Sequence, residues 1–408
     1  MRSIRDLASL IIGMTVLQLA GGVLAVLLPL ALDGAGALPS AIGLVQAGFA
    51  VGFMAGAMAS TALIRRMGPI RAYSAAAAAC AALTLALYFR IDAPAWAAIR
   101  AVQGFSFVVM FAAAESWLAV AAPPESRGSV LGVYQVAVKI SLLAGPFLIL
   151  GLAPTSAGPF MVAAAILALS LIPICATRQI EPAPPPLTRF PLRALWEAAP
   201  AAVLAAFVVG VTNQGVIALL PVYAARLEGG VVTAAASMNA AIWIGGVLVQ
   251  WPAGRLSDRM DRRTVIAGLS VISALGAFGL MALGASAPLA VALALGGLWG
   301  AGALSIYGVA VAHAADAAQG QTQRAIALVL LIWAAGAVVG PAAAGVLMQT
   351  LGPRGMFAGA ALVSLGLAGA MIARRRLREA PPDEEKAPYE PIGTTSPAAA
   401  AIDPRAVS

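Results

Sequence analysis

Arg100, Glu115 and Lys139 are ionisable residues set in apolar, small-residue surroundings: AWAAIRAVQGFSFVVMFAAAESWLAVAA holds the first two and SVLGVYQVAVKISLLAGPF the third. At the centre of a helix in lipid, such a charge costs about 2.5–3.5 kcal/mol, and less near an end. A residue kept at that cost faces protein or a water-filled cavity, or snorkels to the interface. The chemistry open to the three is proton handling. Glu115 is the only carboxylate well inside any apolar stretch, which makes it the first candidate carrier of a proton. Arg100 does not itself deprotonate; its role is either to tune a carboxylate or water that does, or to bind backbone carbonyls. Gln103 and Gly104 follow it at i+3 and i+4, on one helix face, and Gly104 lets a neighbouring helix come close. At 1.5 Å per residue, Glu115 and Lys139 lie about 9 and about 16 Å from the same end of their helices, so an ion pair between them is an open alternative. His313 near the inner end of its helix suits an interfacial or gate role. No residues resemble a catalytic triad, a Walker phosphate loop or a metal site, so neither an enzyme nor a cofactor is expected.

The elements that must position these residues are transmembrane helices. Of 408 residues, 61% are hydrophobic and 10% charged, against roughly a quarter charged in a soluble domain. Mean hydropathy is +0.92. About 20 apolar residues cross a bilayer as a helix, and charge-free runs of that length recur, as at 7–32, 34–64, 198–225 and 325–353. The pattern predicts twelve spans, near 7–32, 40–63, 71–89, 94–121, 128–151, 158–177, 197–226, 231–254, 264–285, 288–314, 321–349 and 354–373, with Pro and Gly at many breaks. The first run is too long for a signal peptide. With the N-terminus inside, inward segments hold 18 arginines and outward loops only Arg90, Arg226 and Arg354. The positive-inside rule then puts both termini in the cytoplasm. The net charge of +8 is spread over short loops, which argues against nucleic acid. Cys80 and Cys175 read as packing residues.

The organisation is an N-terminal bundle over 1–177, a Pro-rich cytoplasmic linker over 178–196, a C-terminal bundle over 197–373 and a tail over 374–408. From about Ala380 the tail is poor in apolar side chains and is expected to be disordered. The two bundles echo each other. Leu27-Leu28-Pro29 recurs as Leu219-Leu220-Pro221, Gly145-Pro146 as Gly340-Pro341, and Arg66-Met67-Gly68 aligns with Arg259-Met260-Asp261, all at nearly one offset. Two parallel six-helix repeats would place a substrate site at their interface near mid-membrane.

Gly254-Arg255-Leu256-Ser257-Asp258-Arg259-Met260-Asp261-Arg262-Arg263 resembles the G-x-x-x-D-R-x-G-R-R loop of the major facilitator superfamily, with Asp261 where the family usually has Gly. Arg100-x-x-Gln103-Gly104 resembles the family's R-x-x-Q-G element, and Pro124-Glu125-Ser126-Arg127-Gly128 its P-E-x-R-G turn. Glu115-Ser116-Trp117-Leu118 and Ala310-Val311-Ala312-His313-Ala314-Ala315-Asp316 look like a little-characterised bacterial branch. In the first-half counterpart of the loop, Thr61 and Arg65 stand where Gly and Asp are expected.

The resemblance implies an all-α membrane protein, twelve helices in two six-helix pseudo-repeats, working by alternating access in a bacterial inner membrane. It associates Arg100 with proton coupling in antiporters. It implies a cytoplasmic gate of Gly254, Asp258, Arg259, Arg262, Arg263, Glu125 and Arg127, with Asp258 on the N-terminal end of the fifth span. The arginines also suit anionic lipid. It points to Gln18, Gln103, Asn213, Gln214 and Tyr307 as cavity polar residues, and Gly145, Pro146, Gly336, Gly340 and Pro341 read as packing and bending points beside Gly104. Ile149 and Leu150 stand where an antiporter's further glycines are expected. The expectation is a monomeric, proton-coupled exporter of a small amphipathic or weakly charged compound. A symporter or uniporter of a metabolite, and a non-transporting receptor or scaffold, are the alternatives.

Overall fold

The computed structural model describes residues 7–122, 127–176, 192–286, 288–318, 321–377, 386–403 and 405. Twelve helices in it are long and apolar enough to cross a membrane. They are α1 (Ala8–Gly34), α2 (Pro39–Met67), α3 (Pro69–Phe89), α4 (Ala93–Ala121), α5 (Arg127–Ala144), α6 (Ala157–Leu169), α7 (Pro200–Ala224), α8 (Val231–Arg259), α9 (Arg262–Leu283), α10 (Leu289–Ala317), α11 (Thr322–Leu351) and α12 (Gly355–Leu377). A 3-10 turn, Gly145–Ile149, continues α5, and Leu171–Cys175 continues α6. Most of the linker, and Glu125 with it, lies outside the described residues; its end forms a short helix, Leu192–Ala198, ahead of α7.

Local chemistry sets the ends. Pro occupies the first turn of α2, α3, α4 and α7, where its missing N–H costs nothing. Asp92 caps α4 by accepting the Ala95 N–H at 3.2 Å. Gly68 turns the chain between α2 and α3 with φ at 85°, a conformation that strains any residue with a Cβ.

The arginine-rich turns at 65–71, 255–263 and 374–376 gather at one end of the bundle, here the basic face. The outer helices α3, α6, α9 and α12 expose large apolar side chains, among them Phe89, Met161, Phe278 and Leu362, as a lipid-facing surface does. Glycines let the inner helices meet backbone to backbone. A Cβ on Gly104 of α4 would run into the Phe49 carbonyl of α2, and one on Gly145 into the Leu19 carbonyl of α1. Gly336 and Gly340 of α11 stand in the same relation to the Phe207 and Val211 carbonyls of α7. Pro341, one residue on, lies inside α11.

The two halves meet unequally. α2 and α11 pack together extensively, with Gly43 against the Pro341 carbonyl and Gly345 against the Pro39 carbonyl. Their repeat counterparts, α8 and α5, touch only sparsely. At the face opposite the basic one, Arg226 and Asp33 form an ion pair of 3.3 Å between the halves. The molecule is therefore shut at that face and parted at the basic face.

Two expectations need correcting. The Gly254–Arg259 stretch is not a loop but the last turns of α8, and only Met260 and Asp261 separate it from α9. The tail, expected to be disordered, is placed over 386–403 inside the parted mouth, with Ile392, Ala399, Ala400 and Ile402 buried. The physical reason is that its prolines and small residues need few apolar contacts when main-chain groups and hydroxyls find partners on the bundle.

Candidate functional site

A cavity of about 290 Å³ lies between the halves. Its wall carries seven amide side chains: Gln18, Gln46, Gln135, Asn213, Gln214, Asn239 and Gln250. Aromatic rings come from Phe49, Phe53, Phe107, Phe111, Trp243, Tyr307 and Trp333. The charged groups in the wall are Arg100 and Lys139, and no carboxylate is among its described residues. Such a volume holds a small organic molecule, with polar groups to orient it and apolar surface to cover it.

Arg100 does not snorkel. It is 6% exposed, donates to Gln103 at 3.0 Å and Gln46 at 3.4 Å, and lies 4.1 Å from the centroid of the Phe49 ring. Its buried Nε has no hydrogen-bond partner, nor do the side-chain nitrogens of Gln135 and Asn239. A buried unpaired donor costs about 1–3 kcal/mol, so the cavity is short of acceptors. Lys139 reaches across the gap between halves to the Gln250 side-chain oxygen.

The structure does not bring Glu115 and Lys139 together. Glu115, 1% exposed, accepts hydrogen bonds from Tyr134 at 2.7 Å and from Thr395 and Ser396 of the tail, each at 2.5 Å. Three hydroxyl donors satisfy its carboxylate, and with Lys139 bonded to Gln250 the ion pair is not made. Gln103 is also not a cavity residue: it is fully buried, tying α4 to α3 through Thr84 at 3.0 Å. Gln18, Asn213, Gln214 and Tyr307 do line the cavity, and Asn213 donates to the Ala303 carbonyl at 3.0 Å.

At the basic face Arg262 is the hub. It makes two bonds to Asp316 of α10, at 2.6 and 3.0 Å, with both side chains buried, and reaches Ser257 at 3.1 Å and Asp258 at 3.4 Å. Asp258 does not sit on the start of α5. It accepts the Tyr389 N–H of the tail, at 3.0 and 3.2 Å. Asp261 caps α9 by accepting the Arg263 N–H at 2.9 Å, and holds the Arg263 guanidinium at 2.8 Å. Burial works to raise the Asp261 carboxyl, but these bonds to Arg263 outweigh it and hold it below the usual 3.8. Arg259 is exposed beside the group, and Arg127 opens α5.

Sequence reasoning missed Gln46, Gln135, Asn239 and Gln250. Their spans were read from charges, and each amide is isolated among apolar neighbours. Asp316 was noticed as part of a motif but given no role. Its position on α10, 54 residues from Arg262, left no spacing signal.

Two helical bundles around a shared polar cavity, shut at one face, define a membrane transporter architecture. The chain belongs to the Major Facilitator Superfamily, which it matches over residues 10–251 and again over 202–403. It is 25% identical over 364 residues to the uncharacterized MFS-type transporter YcaD of Salmonella enteritidis PT4, covering 88% of this chain and 93% of that one, and equally to that of Salmonella dublin. Among solved structures it resembles the nucleoside transporter NupG, with a TM-score of 0.76 at 14% identity over 90% of this chain and 98% of that one. It also resembles an inward-facing bacterial homolog of the human lysosomal transporter Spinster, with a TM-score of 0.69 at 16% identity over 91% and 93%. At these identities the structural likeness establishes the fold.

Proposed function

We propose that the chain is a secondary transporter that moves an amphipathic organic anion by alternating access, exporting it in exchange for protons. The observation that carries the substrate class is the cavity wall: two cations, seven amides, aromatic cover and no carboxylate among its described residues. An anionic group would take the unpartnered Arg100 Nε and the Lys139 ammonium as charge-assisted donors. Its apolar body would lie against the Phe, Trp and Tyr rings. This sharpens the expected amphipathic or weakly charged compound toward negative charge.

Direction follows from electrostatics if the basic face is cytoplasmic, as the arginine distribution supports. Moving one charge through a 100 mV potential is worth about 2.3 kcal/mol. An inside-negative potential therefore favours anion exit and proton entry together. Glu115, a deeply buried carboxylate on the same helix as Arg100, remains the candidate proton carrier.

The test is ligand-induced thermal stabilisation of the purified protein by a panel of aromatic carboxylates and their corresponding amides. Carboxylates are expected to stabilise and amides not. Lys139→Met should weaken carboxylate binding about tenfold, near 1.4 kcal/mol. Equal stabilisation by both series would rule out the anion reading.

A further inference from the structure

The parted mouth on the basic face holds a peptide, and the peptide is this chain's own C-terminal segment, 386–403. Its main chain is held by the C-terminal half of the bundle. The Tyr389 N–H bonds Asp258 of α8, and the Ala387 N–H bonds Asp316 of α10 at 2.9 Å. Arg262 of α9 donates to the Ala387 carbonyl at 2.5 Å, and Lys386 to the Met260 carbonyl at 2.9 Å. Main-chain pairing of this kind fixes a segment's register, and side-chain pockets then select its sequence.

The pocket here is cut for Tyr389. Its ring lies on Gly254 of α8 and its hydroxyl against Gly308 of α10, and a Cβ on either glycine would collide with it. Further along, Ile392, Gly393, Thr394 and Thr395 enter the wall of the central cavity itself. Thr395 and Ser396 then bond Glu115 of α4. The segment ends in a short 3-10 turn, Pro397–Ala401, packed against α4 and α11. Pro388, Pro391 and Pro397 limit the conformations the free segment must give up.

We propose that the mouth is a binding site for residues 386–403, and that the docked segment is an autoinhibitory plug. Docked, it obstructs the route between the cavity and the basic face. It also wedges apart α4 and α11, and it occupies Asp258, the carboxylate that the family motif assigns to closing this face. Both solute passage and closure of the mouth then require the segment to leave. The proposal extends the transporter reading.

Thiol labelling tests it without any transported solute, so it can fail while the transporter reading stands, and the reverse. In full-length protein with Cys80→Ala and Cys175→Ala, a cysteine is placed by Ala399→Cys in the plug or by Arg376→Cys on the exposed end of α12. A polar maleimide should react at Ala399→Cys at least about tenfold more slowly than at Arg376→Cys. Adding Tyr389→Ala to Ala399→Cys should remove most of that protection. In a chain ended after Leu377, shown folded by its melting temperature, Leu142→Cys in the cavity wall should label faster than in the full chain. A synthetic peptide of residues 386–405 should slow it again. Equal rates at the two positions, protection that survives Tyr389→Ala, or a cavity thiol indifferent to truncation would each overturn the proposal.

Discussion

At the scale of residues, carboxylates at the basic face explain more than their motif positions suggested. Asp261, the departure from the family's usual Gly, needs no unusual backbone: its φ is −57°, and it serves as a cap on α9 and a partner for Arg263. That role was legible in principle, since Asp is among the preferred N-cap residues. The bond from Asp258 to the tail was not, because no spacing rule connects positions 131 residues apart. Glu390 offers a pH readout of docking. Burial first, then the charges of Asp403 and Asp258, raise its carboxyl above the usual 4.5, against the opposing Arg405. A raised carboxyl binds its proton more tightly in the docked state, so docking is strongest below 4.5 and weakens as pH rises through the raised value. The ratio of Ala399→Cys to Arg376→Cys labelling should therefore climb as pH rises from the acid side. Glu390→Gln should flatten that profile, and a ratio unmoved by pH would contradict the assignment.

Elements were the most legible level, because length and charge-free composition determine what can cross lipid. The expected spans coincide with helices whose ends mostly differ by a few residues. α5 and α6 stop short, at Ala144 and Leu169, and pass into a 3-10 turn and a second short helix, while at α8 polar and charged residues after Gly254 continue the helix to Arg259. The packing glycines could be read as close-approach points, but not their partners, which come from distant chain. Gly43 shows what that costs. It faces the Pro341 carbonyl where α2 and α11 join the halves, yet nothing around it in sequence marks it out. Gly43→Leu should destabilise the closed opposite face by about 1–3 kcal/mol through overpacking. A cavity thiol, Leu142→Cys in the cysteine-free background, should then label more readily from that face in oriented vesicles. Unchanged labelling in a folded variant would mean that the α2–α11 contact does not hold this face shut.

For the whole molecule, repeated motifs at one offset anticipated two halves around a central cleft. The asymmetry between α2–α11 and α5–α8 could not be anticipated, since the same pseudo-symmetric sequence must support both an inward and an outward arrangement. The tail was misread for a related reason. Composition reports whether a segment can build its own core, and residues 386–403 borrow one from the bundle. Alternation between two arrangements is the claim on which the transporter reading rests. Electron–electron distance measurements test it most directly, with one spin-label pair at Ala35 and Glu228 on the opposite face and another at Arg66 and Arg259 on the basic face, all exposed positions. With the tail removed and aromatic carboxylate added, the first distance should lengthen in the same population in which the second shortens. Distances that stay fixed, or that lengthen and shorten together, would contradict the account.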